Sequence, residues 1–226
     1  MTDTTDIAQP PRPEQAISRE HDASVLSEAL AAIAGLNEQV LAALTDSARN
    51  SEVEFPLAPT LRGSIAALTD VQRRQAAQCR VLLVDAGFSD LKRWADGALA
   101  RESMVPPEDR CPWLPAGQSE VLSYAVLMVA WHIVHRSRAV AALLLGMPDA
   151  VLTVFEKLSV SDLSTIARTH PGWVQPRWRQ RSEIWASVVG SVAQAGASDT
   201  AAMIFRFLQA SATDATQLIT SVEQDT

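Results

Sequence analysis

The chain has 226 residues, 47% hydrophobic and 20% charged, enough for a hydrophobic core in one domain or two small ones. Its formal net charge of −7 opposes general attraction to nucleic acid, which grows from Lys and Arg neutralising phosphates, so only a local basic patch allows such contact. The two cysteines, Cys79 and Cys111, form no C-x-x-C motif and make no disulfide framework; they read as one buried and one loop thiol in a reducing cytoplasm.

Abundant Ala, Leu and Val with little Gly and Tyr favour helix over sheet. Residues 1–22 are polar and aperiodic, with three prolines between Pro10 and Pro13, and are expected to form a disordered tail without a secretory apolar region. Order is expected from Asp22 or Ser24, either of which can cap a helix. Leu26, Leu30 and Ile33, then Leu36, Val40, Leu41 and Leu44, follow helical spacing, with Gly35 as a break between two helices. Residues 50–59 lose the period and hold two prolines, which predicts a loop. Leu61, Ile65 and Leu68 mark a short helix. Thr69 to Gln72 is a capping-box signature that opens another helix, to about Cys79. Residues 81–84 are a β-branched apolar run, either a short strand or an extended packed segment. Asp85-Ala86-Gly87 turns the chain, and residues 91–100 are expected to be helical. Residues 101–119 hold four prolines, as a linker or packed loop, and Trp113 argues for packed.

Leu122, Val126, Val129 and Ile133 keep helical steps, and Leu127, Ala130 and Val134 fill the adjacent stripe. A helix apolar on so many sides is buried in a core or a subunit interface. Its most apolar run, residues 121–131, is too short to span a bilayer. Beyond Arg136 and Arg138, residues 139–145 stay apolar until Gly146. Pro148 suits a first helical position, with Val151, Leu152, Phe155 and Leu158 as that helix's face. Ser159 to Asp162 caps the next helix, which Pro171-Gly172 ends. Residues 173–179 are expected to be extended. Ser182 opens a helix to Gly196, and Ser198 opens a last one lined by Ile204, Phe205, Leu208, Ile219 and Val222.

These elements predict an all-α, multi-helix bundle. Its expected parts are a tail (1–22), a first helical module (23–100), a linker or packed loop (101–119), a second helical module (120–196) and a C-terminal amphipathic helix and tail (197–226). The modules share a pattern. Leu36 to Leu41 resembles Leu122 to Leu127 at an offset of 86 residues, and Leu68-Thr69 resembles Leu158-Ser159 at an offset of 90. Ala77 and Val84 meet Ala167 and Val174 at the same 90. Separated features that keep nearly one spacing suggest a duplication; generic caps and leucines are the alternative.

No catalytic constellation stands out. His132 and His135 lie one helical turn apart, but no third ligand sits at a telling spacing. The run VLLVDAG lacks the Gly-rich phosphate loop and strand–helix alternation of doubly wound folds, so Asp85 reads as a turn or cap residue. Arg168, His170, Arg177, Arg179 and Arg181 form a basic cluster interleaved with Trp173 and Trp178, with no carboxylate between Asp162 and Glu183. Arginine with aromatics grips phosphate, stacks on bases or docks a protein. The competing reading is a solvated edge whose tryptophans pack on the bundle. The acidic total favours protein contact, or DNA contact only inside a complex.

The stretch 122–179 resembles the D subunit of the bacterial flagellar master transcription activator. The likeness rests on Leu122-Ser123-Tyr124, Ser137-Arg138-Ala139, Leu145-Gly146, the helix from Val151 to Leu158, Leu158-Ser159 and Val174-Gln175-Pro176-Arg177-Trp178-Arg179. With Leu36-Asn37 and Leu68-Thr69 of the weaker first copy, it covers about half the chain. The resemblance implies an all-helical, dimerising, non-enzymatic transcriptional regulator that works with a zinc-bearing C subunit. It implies a homo-oligomer, a C-subunit-type protein partner, DNA contact only within a complex, and neither cofactor nor membrane. Arg168, Trp173, Arg177, Trp178, Arg179 and Arg181 then form the DNA- or partner-binding edge. Leu122, Val126, Val129 and Ile133 form the oligomer interface. Two features depart from the family: the chain is about twice the usual length, and Gln175 stands where some members carry a dimer-linking cysteine, which excludes a covalent dimer there. An adaptor or chaperone-like protein with no DNA role is the alternative.

Overall fold

The computed structural model describes residues 13–97 and 112–190. They form nine α-helices, with one two-stranded antiparallel pair as their only sheet, so the fold is all-α as the periodicity predicts. In chain order the elements are α1 (Pro13–Arg49), a 3-10 turn (Pro59–Leu61), α2 (Arg62–Ala66), α3 (Asp70–Ala77), β1 (Val84–Asp85) and α4 (Leu91–Gly97). Then come α5 (Ala116–Arg136), α6 (Arg138–Leu145), α7 (Asp149–Phe155), α8 (Val160–Thr169), a second 3-10 turn (Pro171–Trp173), β2 (Gln175–Pro176) and α9 (Ser182–Gly190). The expected C-terminal helix from Ser198, and the end of the preceding helix at Gly196, lie outside the described residues.

Helix α1 departs from expectation twice. It begins at Pro13, ahead of Asp22 and Ser24, and it runs through Gly35 without a break. Pro13 fits a first turn, where its missing N–H leaves no intrahelical bond unmade. Asp22 does not cap this helix; it sits within it, and its Oδ1 accepts a 2.7 Å hydrogen bond from the Ser137 hydroxyl. That ties α1 to the start of α6, where Ser137 also caps the Val140 N–H. At 37 residues α1 is the longest element among the described residues, about 55 Å from end to end at 1.5 Å per residue. Among the described residues its stretch Asp22–Arg49 is long and apolar enough to cross a membrane by length and composition. Val25, Ile33, Val40, Leu41 and Leu44 on that stretch are buried in the protein's own core.

The expected stop and start signals recur. Thr69 and Ser159 each make a complete capping box, with Gln72 and Asp162 reaching back to the cap N–H. Gly146 closes α6 in the left-handed conformation, at φ 70°. Pro148 lies one position outside α7, as its N-cap rather than its first residue.

The two modules share one hydrophobic core rather than each holding its own. Within it Phe88, Trp94 and Phe155 form an aromatic cluster, with Trp94 and Phe155 centroids 4.5 Å apart. Trp94 and Trp185 are both fully buried, and truncating such a side chain to Ala typically costs about 3–5 kcal/mol.

The second half repeats the plan of the first. Long helix, short helix, capped helix, two-residue strand and helix appear as α1, α2, α3, β1, α4 and again as α5, α7, α8, β2, α9. Helix α6 is the insertion; the first half has the 50–58 loop there, which the Arg62 guanidinium organises by donating to the carbonyls of Asn50 and Val53. Burial follows the same correspondence: Leu36, Val40, Leu41 and Leu44 are buried like Leu122, Val126, Leu127 and Ala130.

Candidate partner interface

The basic and aromatic residues singled out in the sequence gather around the end of β2, but they do not form one free surface. The 3-10 turn Pro171–Trp173 leads into β2, which pairs antiparallel with β1 so that Val84 faces Pro176 and Asp85 faces Gln175. The strand pair therefore lies on the seam between the halves. Asp85 is the last residue of β1, and it is the cap rather than the turn of the two roles expected of it: its Oδ1 accepts from the Phe88 N–H at 3.1 Å.

Arg177 points inward, against the expectation of a contact residue. Its side chain is 12% exposed and 4.0 Å from Asp85 Oδ1. Its Nη2 donates to the Leu145 carbonyl at 2.7 Å, and its backbone N–H donates to the Leu83 carbonyl at 2.9 Å. Burial pushes its pKa down from the ordinary guanidinium value, and the Asp85 charge opposes that shift. It is a brace across the seam, joining β2 to α6 and β1.

The other members divide. Arg168, in the last turn of α8, and Arg179 are exposed. Arg179 is steadied by hydrogen bonds to the Pro56 carbonyl at 3.3 Å and to Gln175 Oε1 at 3.4 Å. Arg181 is half-buried, and its backbone N–H donates to the Trp178 carbonyl. Trp178 holds φ 51° and lies under the Arg177 guanidinium, 5.8 Å from its ring centre. Trp173 is half-buried in a stack: His170 lies parallel to it at 4.4 Å, and Arg93 of α4 sits over its ring at 5.4 Å. Arg93 carries no local signal of this role, because the contact depends on α4 packing beside the second half.

The four residues expected at an oligomer interface are also placed inside. Leu122, Val126 and Ile133 are buried in the chain's own core, and Val129 packs partly buried against it. Helix α5 spends this stripe on α1 and α8. These side chains are covered by the chain's own helices.

The protein matches no family model, no curated protein and no solved structure among those compared.

His135 lies against Trp131 with the rings tilted by 37° and Nδ1 2.9 Å from the Trp131 carbonyl, and His132 is exposed. Among the described residues no group of three or more His, Cys, Asp or Glu side chains gathers as metal ligands do. A second surface feature is an open groove of about 320 Å³ along α1, lined by Leu26, Leu30 and Ala34 and rimmed by Gln78 and Arg80.

Proposed function

We propose that this protein is a cytoplasmic, non-enzymatic transcriptional regulator of the flagellar-activator D-subunit type, acting by assembly with a protein partner. One observation carries the reading. The resemblance aligns Gln175 with the family's dimer-linking cysteine, and Gln175 lies on the strand that joins the two halves, opposite Asp85. A position that links two subunits in the family thus falls where two similar halves meet in this chain. The outward residues, Arg168 and Arg179 with the half-buried Arg181, supply the contact edge. The net charge of −7 makes DNA contact a matter for the assembled complex.

The adaptor reading without a DNA role is favoured by the inward turn of Arg177, which removes one cation from the edge. Affinity purification of the tagged full chain from its native cells, followed by gel shifts with what co-purifies, separates the two. The D-subunit reading expects a C-subunit-type partner and promoter binding that weakens steeply as salt rises. Arg168→Ala with Arg179→Ala is expected to lower capture while the circular dichroism spectrum stays unchanged. Capture and promoter binding that ignore both salt and the double substitution would overturn the proposal.

A further inference from the structure

We infer that residues 13–97 and 112–190 are two copies of one module, fused in a single chain and folded against each other as the subunits of a symmetric dimer. This goes beyond the proposed regulatory role and does not depend on it.

The strand pair gives the first argument. Matched element by element, Val84 and Asp85 of β1 correspond to Gln175 and Pro176 of β2 at an offset of 91 residues, one more than the 90 at which the sequence sets Val84 against Val174. A two-fold axis between the modules requires corresponding strands that meet across it to pair antiparallel. Val84 does face Pro176, and Asp85 does face Gln175. A parallel pairing of these two strands would have excluded such an axis.

The turns that follow keep the correspondence. Gly87 and Trp178, at the same offset, hold the left-handed conformation at φ 71° and 51°. A tryptophan there is unexpected on local grounds, since that region favours glycine. Beyond each turn comes a buried tryptophan, Trp94 or Trp185, whose indole N–H returns to the turn, at the Gly87 carbonyl (2.9 Å) or the Arg177 carbonyl (2.8 Å). The long helices repeat a polar tether in the same way. Buried Asn37 donates to the Val81 carbonyl at 2.8 Å, and buried Ser123 donates to the Pro171 carbonyl at 3.1 Å.

Packing between the halves is also reciprocal. Helix α4 of the first lies on α7 of the second, and α9 of the second lies on the Pro59–Leu61 turn, the counterpart of the start of α7. Each half lends its last helix to the other. The partner for this interaction surface is therefore already in the chain. Assembly of the pair is intramolecular and so independent of chain concentration. The stripe on α5 needs no second copy.

The test uses the full chain with Asp85→Cys and Gln175→Cys in a Cys111→Ser background. Directly opposed residues of an antiparallel pair have Cα atoms about 4.5–5.5 Å apart, within disulfide reach. Oxidation is expected to give an intrachain bridge and faster migration on a non-reducing gel. Light scattering is expected to stay near 24.4 kDa at every concentration. Bridges between two chains, or a doubled mass, would overturn the inference. A second test avoids the seam: a protease site placed between residues 97 and 112 is cut after folding. The fragments are expected to elute together in gel filtration, and their separation would overturn the inference. Neither readout involves DNA or another protein.

Discussion

Asn37 bonds to several backbone groups of the 77–83 segment, and Asn37→Ala tests whether this tether of α1 holds the first half together. The side chain is fully buried. Its amide donates to Val81 O at 2.8 Å and approaches the Ala77 and Cys79 carbonyls at 3.3 Å, while its Oδ1 accepts from the Leu83 N–H at 2.9 Å. Removing it strands the Leu83 N–H inside the protein, which costs about 1–3 kcal/mol, and forfeits the Val81 bond, worth about 1 kcal/mol. The expected loss is about 3 kcal/mol, against total stabilities on the order of 5–15 kcal/mol. Its counterpart Ser123 makes one such bond, to Pro171, so Ser123→Ala is expected to cost about 1 kcal/mol. Urea titration followed by circular dichroism gives both numbers, and thermal melting is expected to show midpoint drops of roughly 6–12 °C against 2–4 °C. Asn37→Ser, which copies the second half, should fall between. Equal losses for Asn37→Ala and Ser123→Ala, or a loss below about 1 kcal/mol for Asn37→Ala, would refute this reasoning.

Arg177→Ala is expected to destabilise the fold by about 2 kcal/mol or more, since it strips the buried Leu145 carbonyl of its donor; the exposed Arg179→Ala should stay within about 0.5 kcal/mol of the parent. The same urea titrations compare them, and equal effects would contradict the inward placement of Arg177. Burial pushes the Cys79 thiol up to about 12 from 9.0. It should resist Ellman's reagent in the native state at pH 8 and react once unfolded. Because the unfolded thiol ionises first, the stability gained by keeping Cys79 neutral is complete below pH 9.0 and is lost as pH rises toward about 12; denaturation midpoints measured across that window, with Cys79→Ala as the control, check the sign. Thr69→Ala and Ser159→Ala each remove a capping box and are expected to cost about 1 kcal/mol in thermal or urea melts. Gly35→Ala should stabilise by about 0.5–1 kcal/mol, because a Cβ there meets nothing within 4 Å and the helix is continuous; a loss in the same melts would mean that α1 bends there.

The features legible in the sequence were those with local causes. The capping boxes, the Gly146 stop and the apolar stripes of α1 and α5 all depend on residues within a few positions of one another. Gly35 misled because a single glycine costs a helix only about 1 kcal/mol, less than the buried apolar face on either side returns. Asp22 resembled a cap because its true partner, Ser137, belongs to another helix. Arg177 looked free for the same reason: the run from Asp162 to Glu183 holds no carboxylate, and the one beside Arg177 is Asp85, in the other half of the chain. The α5 stripe was correctly read as buried, but periodicity cannot say whether the covering surface comes from a second molecule or from α1.

The correspondence of Gly87 with Trp178 has an evolutionary consequence. In an assembly of identical chains every substitution appears on both sides of the axis, so a side chain welcome at one copy must also be tolerated at the other. Here Gly87 leaves room for the Arg93 guanidinium that a Cβ would strike, while Trp178 spreads an indole beneath Arg177 at the corresponding place. One gene thereby escapes the symmetry that binds a homodimer, and its two sides are free to specialise for different neighbours.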